Sequence, residues 1–211
     1  MNKKETFKIL LIDNYDSFSF NIVKLLRPFP NIDLHIKKND EEGLCDLSFD
    51  AVIISPGPGL PEEAGHLNKA LAFYHKRIPI FGICLGLQAI VNLYGGGLLQ
   101  LPTVFHGIRD TIQLLDERSE SPIFRKIPPS FFAGRYHSWV GAQKNLPKEL
   151  RVTATGSDGS IMALENIEDG VFAVQFHPES YMTEYGDIML QNFIHLLCRN
   201  EEIQAISLDA K

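Results

Sequence analysis

The first half of the chain alternates short unbroken apolar runs with segments of helical spacing. Residues 7–12 are an apolar run of strand length. From Ser17 the spacing turns helical, with Phe18, Ile22, Leu25 and Leu26 on one face and Pro28 as the stop. Asp16 or Ser17 is the expected N-cap. Residues 34–36 read as a short strand. Residues 51–54 read as a buried strand running into Ser55-Pro56-Gly57-Pro58-Gly59, with a helix over roughly 64–75 to follow. Residues 79–83 are a third buried strand, and 85–94 a helix stopped by Gly95-Gly96-Gly97. Strands that are apolar at every position need cover on both faces, so this half predicts a parallel sheet between helices.

The middle of the chain changes character. Residues 98–115, 131–140 and 152–174 carry short β-like runs separated by turn residues such as Gly156-Ser157-Asp158-Gly159, and these predict antiparallel strands. An amphipathic helix over about 187–198 turns Ile188, Phe193, Ile194 and Leu197 inward, and a polar tail follows Arg199. The expected fold class is α/β: a mostly parallel central sheet flanked by helices on both faces, flavodoxin-like, with a small antiparallel β section. The expected organisation is one domain over 1–199 and a polar tail over 200–211.

Composition narrows the function classes. The net charge is −6, and the longest basic runs, Lys3-Lys4 and Lys37-Lys38, are too short for a nucleic-acid-binding face. No apolar stretch approaches the ~20 residues that span a bilayer. Met1-Asn2-Lys3-Lys4-Glu5 leads only into a short strand, which is not the pattern of a secretory leader. The cysteines, Cys45, Cys84 and Cys198, are far apart and odd in number. That argues against a disulfide framework and a cysteine zinc site, and the expected location is the cytoplasm. Cys45 and Cys198 read as packing residues.

Cys84 is different. Gly82-Ile83-Cys84-Leu85-Gly86 joins a buried strand to a helix, the context of a nucleophile elbow with cysteine in place of serine. A strand turning sharply into a helix brings backbones together, so side chains flanking the nucleophile would clash. The elbow aims the thiol above the carboxyl ends of the strands, where open α/β sheets bind ligands. The helix N-terminus beneath favours an anion, and the Leu85 amide is free for an oxyanion. A base and its orienting group are offered by His177 and Glu179 in Gln175-Phe176-His177-Pro178-Glu179-Ser180, with Pro178 restricting the backbone between them. Gly57-Pro58-Gly59 follows another parallel strand, on the same sheet edge. It lacks the third glycine of a dinucleotide loop.

These pieces resemble the class I (triad) glutamine amidotransferases. Gly134-Arg135-Tyr136-His137-Ser138 matches as well, and the Asp13-Asn14-Tyr15-Asp16-Ser17-Phe18 opening narrows the likeness to the glutaminase subunits of anthranilate synthase and aminodeoxychorismate synthase. The resemblance implies Cys84 as nucleophile, His177 as acid and base, and Glu179 as its orienting carboxylate. It implies the Gly57 and Leu85 amides as oxyanion hole, and Gln88 with the backbone of Gly57, Gly59, Ser138 and Trp139 as the glutamine site. It also implies ammonia delivery to a chorismate-binding synthase subunit (component I), no metal or cofactor on this chain, and Mg²⁺ only in the partner. The Asn14–Phe18 loop and the segment around His106 would face that partner. Three positions depart from close relatives: Leu87 for histidine, Ile108 for lysine and Trp139 for leucine. Two other readings stay open: a stand-alone γ-glutamyl hydrolase, and a glutamine-binding regulatory subunit without activity, for which Leu87 is the hint.

Overall fold

The computed structural model describes residues 6–115 and 121–209, with side chains as far as Leu197. The N-terminal pentapeptide and the packing of Cys198 therefore lie outside the described residues. Eleven strands and four helices are present among them: β1 (Phe7–Asp13), α1 (Ser19–Leu26), β2 (Ile32–Lys38), β3 (Ala51–Ile54), α2 (Leu67–Tyr74), β4 (Ile80–Ile83), α3 (Leu85–Leu93), β5 (Leu98–Gln100), β6 (Ile108–Leu114), β7 (Ser130–Arg135), β8 (Trp139–Gly141), β9 (Arg151–Thr155), β10 (Ile161–Asn166), β11 (Val171–Val174) and α4 (Gly186–Asp209). Nine strands form one sheet in the order β2-β1-β3-β4-β11-β10-β9-β6-β7, and β5 and β8 form a separate ribbon.

The apolar runs explain the parallel half. Along β1, Ile9 and Leu11 enter the core beneath α1 and α4, while Leu10 and Ile12 enter the core beneath α2 and α3. Side chains alternate across a strand, so burial on both faces demands apolar residues at consecutive positions. β3 and β4 obey the same rule and are buried throughout. α4 supplies Met189, Leu190, Phe193, Ile194 and Leu197 to the first core.

Four expectations need correction. Residues 171–174 are not antiparallel on both sides: β11 runs parallel to β4, Val174 opposite Ile83, and antiparallel to β10. It is therefore the seam where the sheet changes sense, and its carboxyl end lies beside that of β4. The helix expected from 64 begins at Leu67, after a 3₁₀ turn at Pro61–Glu63 and a left-handed Gly65. The N-cap of α1 is Phe18, which makes no side-chain cap. Asp16 instead accepts the Phe18 N–H from two residues back, at 2.7 Å. The helix expected over about 187–198 runs from Gly186 to Asp209 as backbone. Among the described residues no helix is long and apolar enough to cross a membrane.

Candidate active site

Cys84 lies between β4 and α3 with φ 53° and ψ −99°, outside the basins open to residues with a side chain. Such a backbone costs about 1–3 kcal/mol and persists only where its surroundings over-determine it. Those surroundings are visible. The Cys84 N–H donates to the Val174 carbonyl at 2.8 Å, fixing the turn to the end of β11. A side chain at Gly82 would stand 2.7 Å from the Gly86 carbonyl carbon, so strand and helix approach too closely for any residue but glycine.

β11 hands the chain directly to the other two residues of interest. The Ser180 N–H donates to the His177 carbonyl at 3.1 Å, closing a turn with Pro178 and Glu179 at its centre. That turn folds the carboxylate back onto its own neighbour: His177 Nδ1 lies 2.7 Å from Glu179 Oε1. The ring is 2% exposed and wedged between Phe18, at 5.6 Å between centroids, and Tyr136, at 4.8 Å. Glu179 can only accept, so Nδ1 carries the proton and Nε2 is left for Cys84. Nε2 is buried and makes no full hydrogen bond within the chain. Burial opposes a charge on the ring, but the Cys84 thiol and the Glu179 carboxylate outweigh it and hold the imidazole well above the ordinary histidine range. A group raised in this way adds stability below its unfolded value and loses it as pH climbs through the folded one.

The remaining sequence candidates cluster around the elbow. Gly57 packs against Asn14 and Leu85, and a side chain there would come within 2.8 Å of Leu85 Cδ2. Asn14 ties the two loops together, its backbone N–H donating to Ser55 Oγ and its side-chain amide to the Ser55 carbonyl, each at 2.9 Å. The opening motif therefore buttresses the Gly57 loop. Gln88, on α3, donates to the Trp139 carbonyl at 2.9 Å. The Ser138 carbonyl accepts from the Leu101 N–H at 2.8 Å. Gly59 stands at the outer end of its loop with φ +73°.

From the residues alone Arg135 reads as a strand residue and His137 stays undecided. The structure puts Arg135 at 0% exposure, bonded to Asp110 at 2.6 Å and Asp158 at 3.0 Å, with its guanidinium over the Phe105 ring. Arg135 Nε donates to His137 Nε2 at 3.1 Å, and His137 Nδ1 donates to the Trp139 carbonyl at 3.0 Å. Burial first, then the Arg135 charge, lowers the His137 pKa to about 3. A neutral histidine thus holds Trp139 at the start of β8, directly after Ser138.

This has a measurable consequence. His137 titrates near ~6.5 when unfolded and at about 3 when folded, so the native state binds fewer protons between those values. Its contribution is complete above the unfolded value and is lost as pH falls toward the folded one. Unfolding free energies from urea titrations between pH 7 and pH 4 should fall less steeply in His137→Gln, by up to about 1.4 kcal/mol per pH unit. Superimposable slopes would mean that folded His137 takes up its proton normally.

Asp16 is a second residue whose surroundings the sequence hid. Its carboxylate, an imidazole nitrogen of His177 and a carboxylate oxygen of Glu179 lie within 4.8 Å of one another, the one such grouping of three potential ligands among the described residues. The 2.7 Å contact between His177 and Glu179 already has the geometry of a hydrogen-bonded pair.

The family model for class-I glutamine amidotransferases matches residues 10–197. Anthranilate synthase component 2 of Lactococcus lactis is 39% identical over 197 residues, covering 92% of this chain and 97% of the relative. The aminodeoxychorismate/anthranilate synthase component 2 of Bacillus subtilis is 40% identical over 189 residues, covering 88% and 95%. A Thermoplasma acidophilum crystal structure, named for a GMP synthase, superposes with a TM-score of 0.80 at 24% identity, over 95% of this chain and 98% of that one. At that identity the likeness concerns the fold alone.

Proposed function

We propose, from the premise that this chain belongs to the class-I glutamine amidotransferase family, that it is the glutaminase subunit of a chorismate-aminating synthase. The Cys84 thiolate attacks the side-chain amide carbon of glutamine. The oxygen takes up the electron pair and is met by the Gly57 and Leu85 amides. His177 gives its proton to the leaving nitrogen, so ammonia departs and a γ-glutamyl thioester remains. Water then attacks the thioester with His177 as base, releasing glutamate and restoring the thiol. Glu179 keeps the ring in the tautomer that presents Nε2 to sulfur. Gln88 and the backbone of Gly59, Ser138 and Trp139 hold the rest of the glutamine.

The observation that carries this reading is the buried His177–Glu179 pair beside an elbow cysteine in strained backbone. The assignment to a component II rests on the Lactococcus and Bacillus relatives, whose names imply a first component. A surface for that partner fits the rim of the site. Tyr15, next to Asp16, is 56% exposed, and Tyr181, two residues past Glu179, is 87% exposed. Both rings lie close in sequence to the residues of the site, and aromatic side chains are enriched at protein contacts. The reading needs no cofactor on this chain and leaves Mg²⁺ to the synthase. It takes 1–199 as a single domain working in the cytoplasm.

The test uses a glutamine analogue with a diazoketone in place of the amide, with adducts located by peptide mass spectrometry. A single adduct on Cys84, suppressed by excess glutamine, is expected. No Cys84 adduct, even with a chorismate-binding synthase present, would favour the inactive binding subunit. Ammonia release at full rate without any synthase would favour the stand-alone hydrolase.

A further inference from the structure

We infer that Gln175 is a further catalytic residue, whose side-chain amide donates a hydrogen bond to the Cys84 sulfur and ties that sulfur to Gln88. The inference rests on the proposed role of Cys84 as nucleophile. Gln175 is the first residue past β11 and has no exposed surface. Its backbone is fixed, the N–H donating to the Met162 carbonyl at 2.8 Å. Its Nε2 stands 3.5 Å from Cys84 Sγ, within reach of an N–H···S bond. Its Oε1 stands 3.4 Å from Gln88 Nε2.

The neighbours decide which end of the amide faces sulfur. Gln88 Nε2 donates to the Trp139 carbonyl, so it is that amide's nitrogen end and needs acceptors. Gln175 must therefore offer Gln88 its oxygen, which leaves its NH₂ for Cys84. The elbow cysteine is then held twice from the end of β11, by the Val174 carbonyl on its backbone and by Gln175 on its side chain. The two contacts differ in kind. The first shapes the turn. The second acts on the reacting atom, and a thiolate accepts an N–H bond more strongly than a thiol does.

Gln175 complements His177. The imidazole must exchange a proton during the reaction, whereas an amide N–H has none to give. Gln175 thus favours the anion at every stage in which the thiolate is attacker or leaving group. The continuity to Gln88 adds a consequence: glutamine seated on Gln88 sits two hydrogen bonds from the nucleophile.

The test follows alkylation of Cys84 by iodoacetamide against pH, with adducts resolved from those on Cys45 and Cys198 by peptide mass spectrometry. It needs no glutaminase turnover. In Gln175→Met, which has similar length and no donor, Cys84 should react about ten-fold more slowly at neutral pH, with its midpoint about one unit higher. Gln175→Glu, of the same shape but unable to donate when ionised, should shift the midpoint further the same way. In the wild-type chain the Gln175 side-chain amide resonances should move as Cys84 titrates, a readout that needs no variant to fold. Unchanged midpoints in a folded variant, or amide signals indifferent to Cys84, would overturn the inference. A wild-type Cys84 that alkylates but never forms the diazoketone adduct would instead overturn the nucleophile reading.

Discussion

Cys84→Ala is expected to lower glutamine hydrolysis by roughly 10⁴-fold or more, and Cys84→Gly to do the same while leaving a more stable protein than the alanine variant. The first half follows from the chemistry: without the sulfur there is no thioester, and the oxyanion donors retain only their binding contribution. The second half follows from φ 53° and ψ −99°. Alanine keeps the Cβ and hence the strain. Glycine removes it. In an ordinary helix or strand glycine is the worse residue by about 0.5–1 kcal/mol. Here the order should invert, with glycine ahead by about 1 kcal/mol in urea unfolding. Both variants lack the thiol, so its lost packing cancels in the comparison. Alanine equal to or above glycine would mean that the elbow backbone relaxes once sulfur is gone, and that the strain belongs to the nucleophile rather than to the fold.

Local chemistry could be read from the residues, and contacts across the fold could not. Cys84 was legible because its two glycines, the preceding apolar run and the following helix are contiguous. His177 and Glu179 were legible because one turn holds both. The strands of the parallel half were legible because two-sided burial writes itself as an unbroken apolar run. Arg135 was not. Its partners Asp110 and Asp158 lie 25 and 23 residues away, brought together by the β6–β7 pairing and the turn after β9. A charged residue in a β-like run reads as solvent-facing unless those partners are known. Gln175 and Asp16 stood inside quoted motifs, yet nothing in either motif says that one touches Cys84 and the other nears His177. The two-sided pairing of β11 was hidden for the same reason, since a four-residue apolar strand carries no mark of its neighbours' directions.

Gly186 is the position where this hidden geometry should have its largest structural effect. It opens α4 directly behind the turn that carries His177 and Glu179. A Cβ there would lie 1.8 Å from the Pro178 carbonyl oxygen and 2.7 Å from its carbon. Both are backbone atoms, so no rotamer change relieves the overlap. Either the start of α4 retreats, pulling Met189 and Leu190 from the core, or Pro178 shifts by more than an ångström. Gly186→Ala is therefore expected to destabilise the protein by about 3 kcal/mol in urea unfolding. Because Pro178 joins His177 to Glu179, the variant should also lose about 10²-fold in kcat for ammonia release measured with the synthase, even where it is fully folded. Gly97→Ala is the control: a Cβ at Gly97 meets nothing within 4 Å, and both stability and turnover should stay as they are. Loss of stability with kcat intact would mean that the helix yields and the His177–Glu179 turn does not. Unchanged stability would mean that neither backbone is held as tightly as the 1.8 Å approach requires.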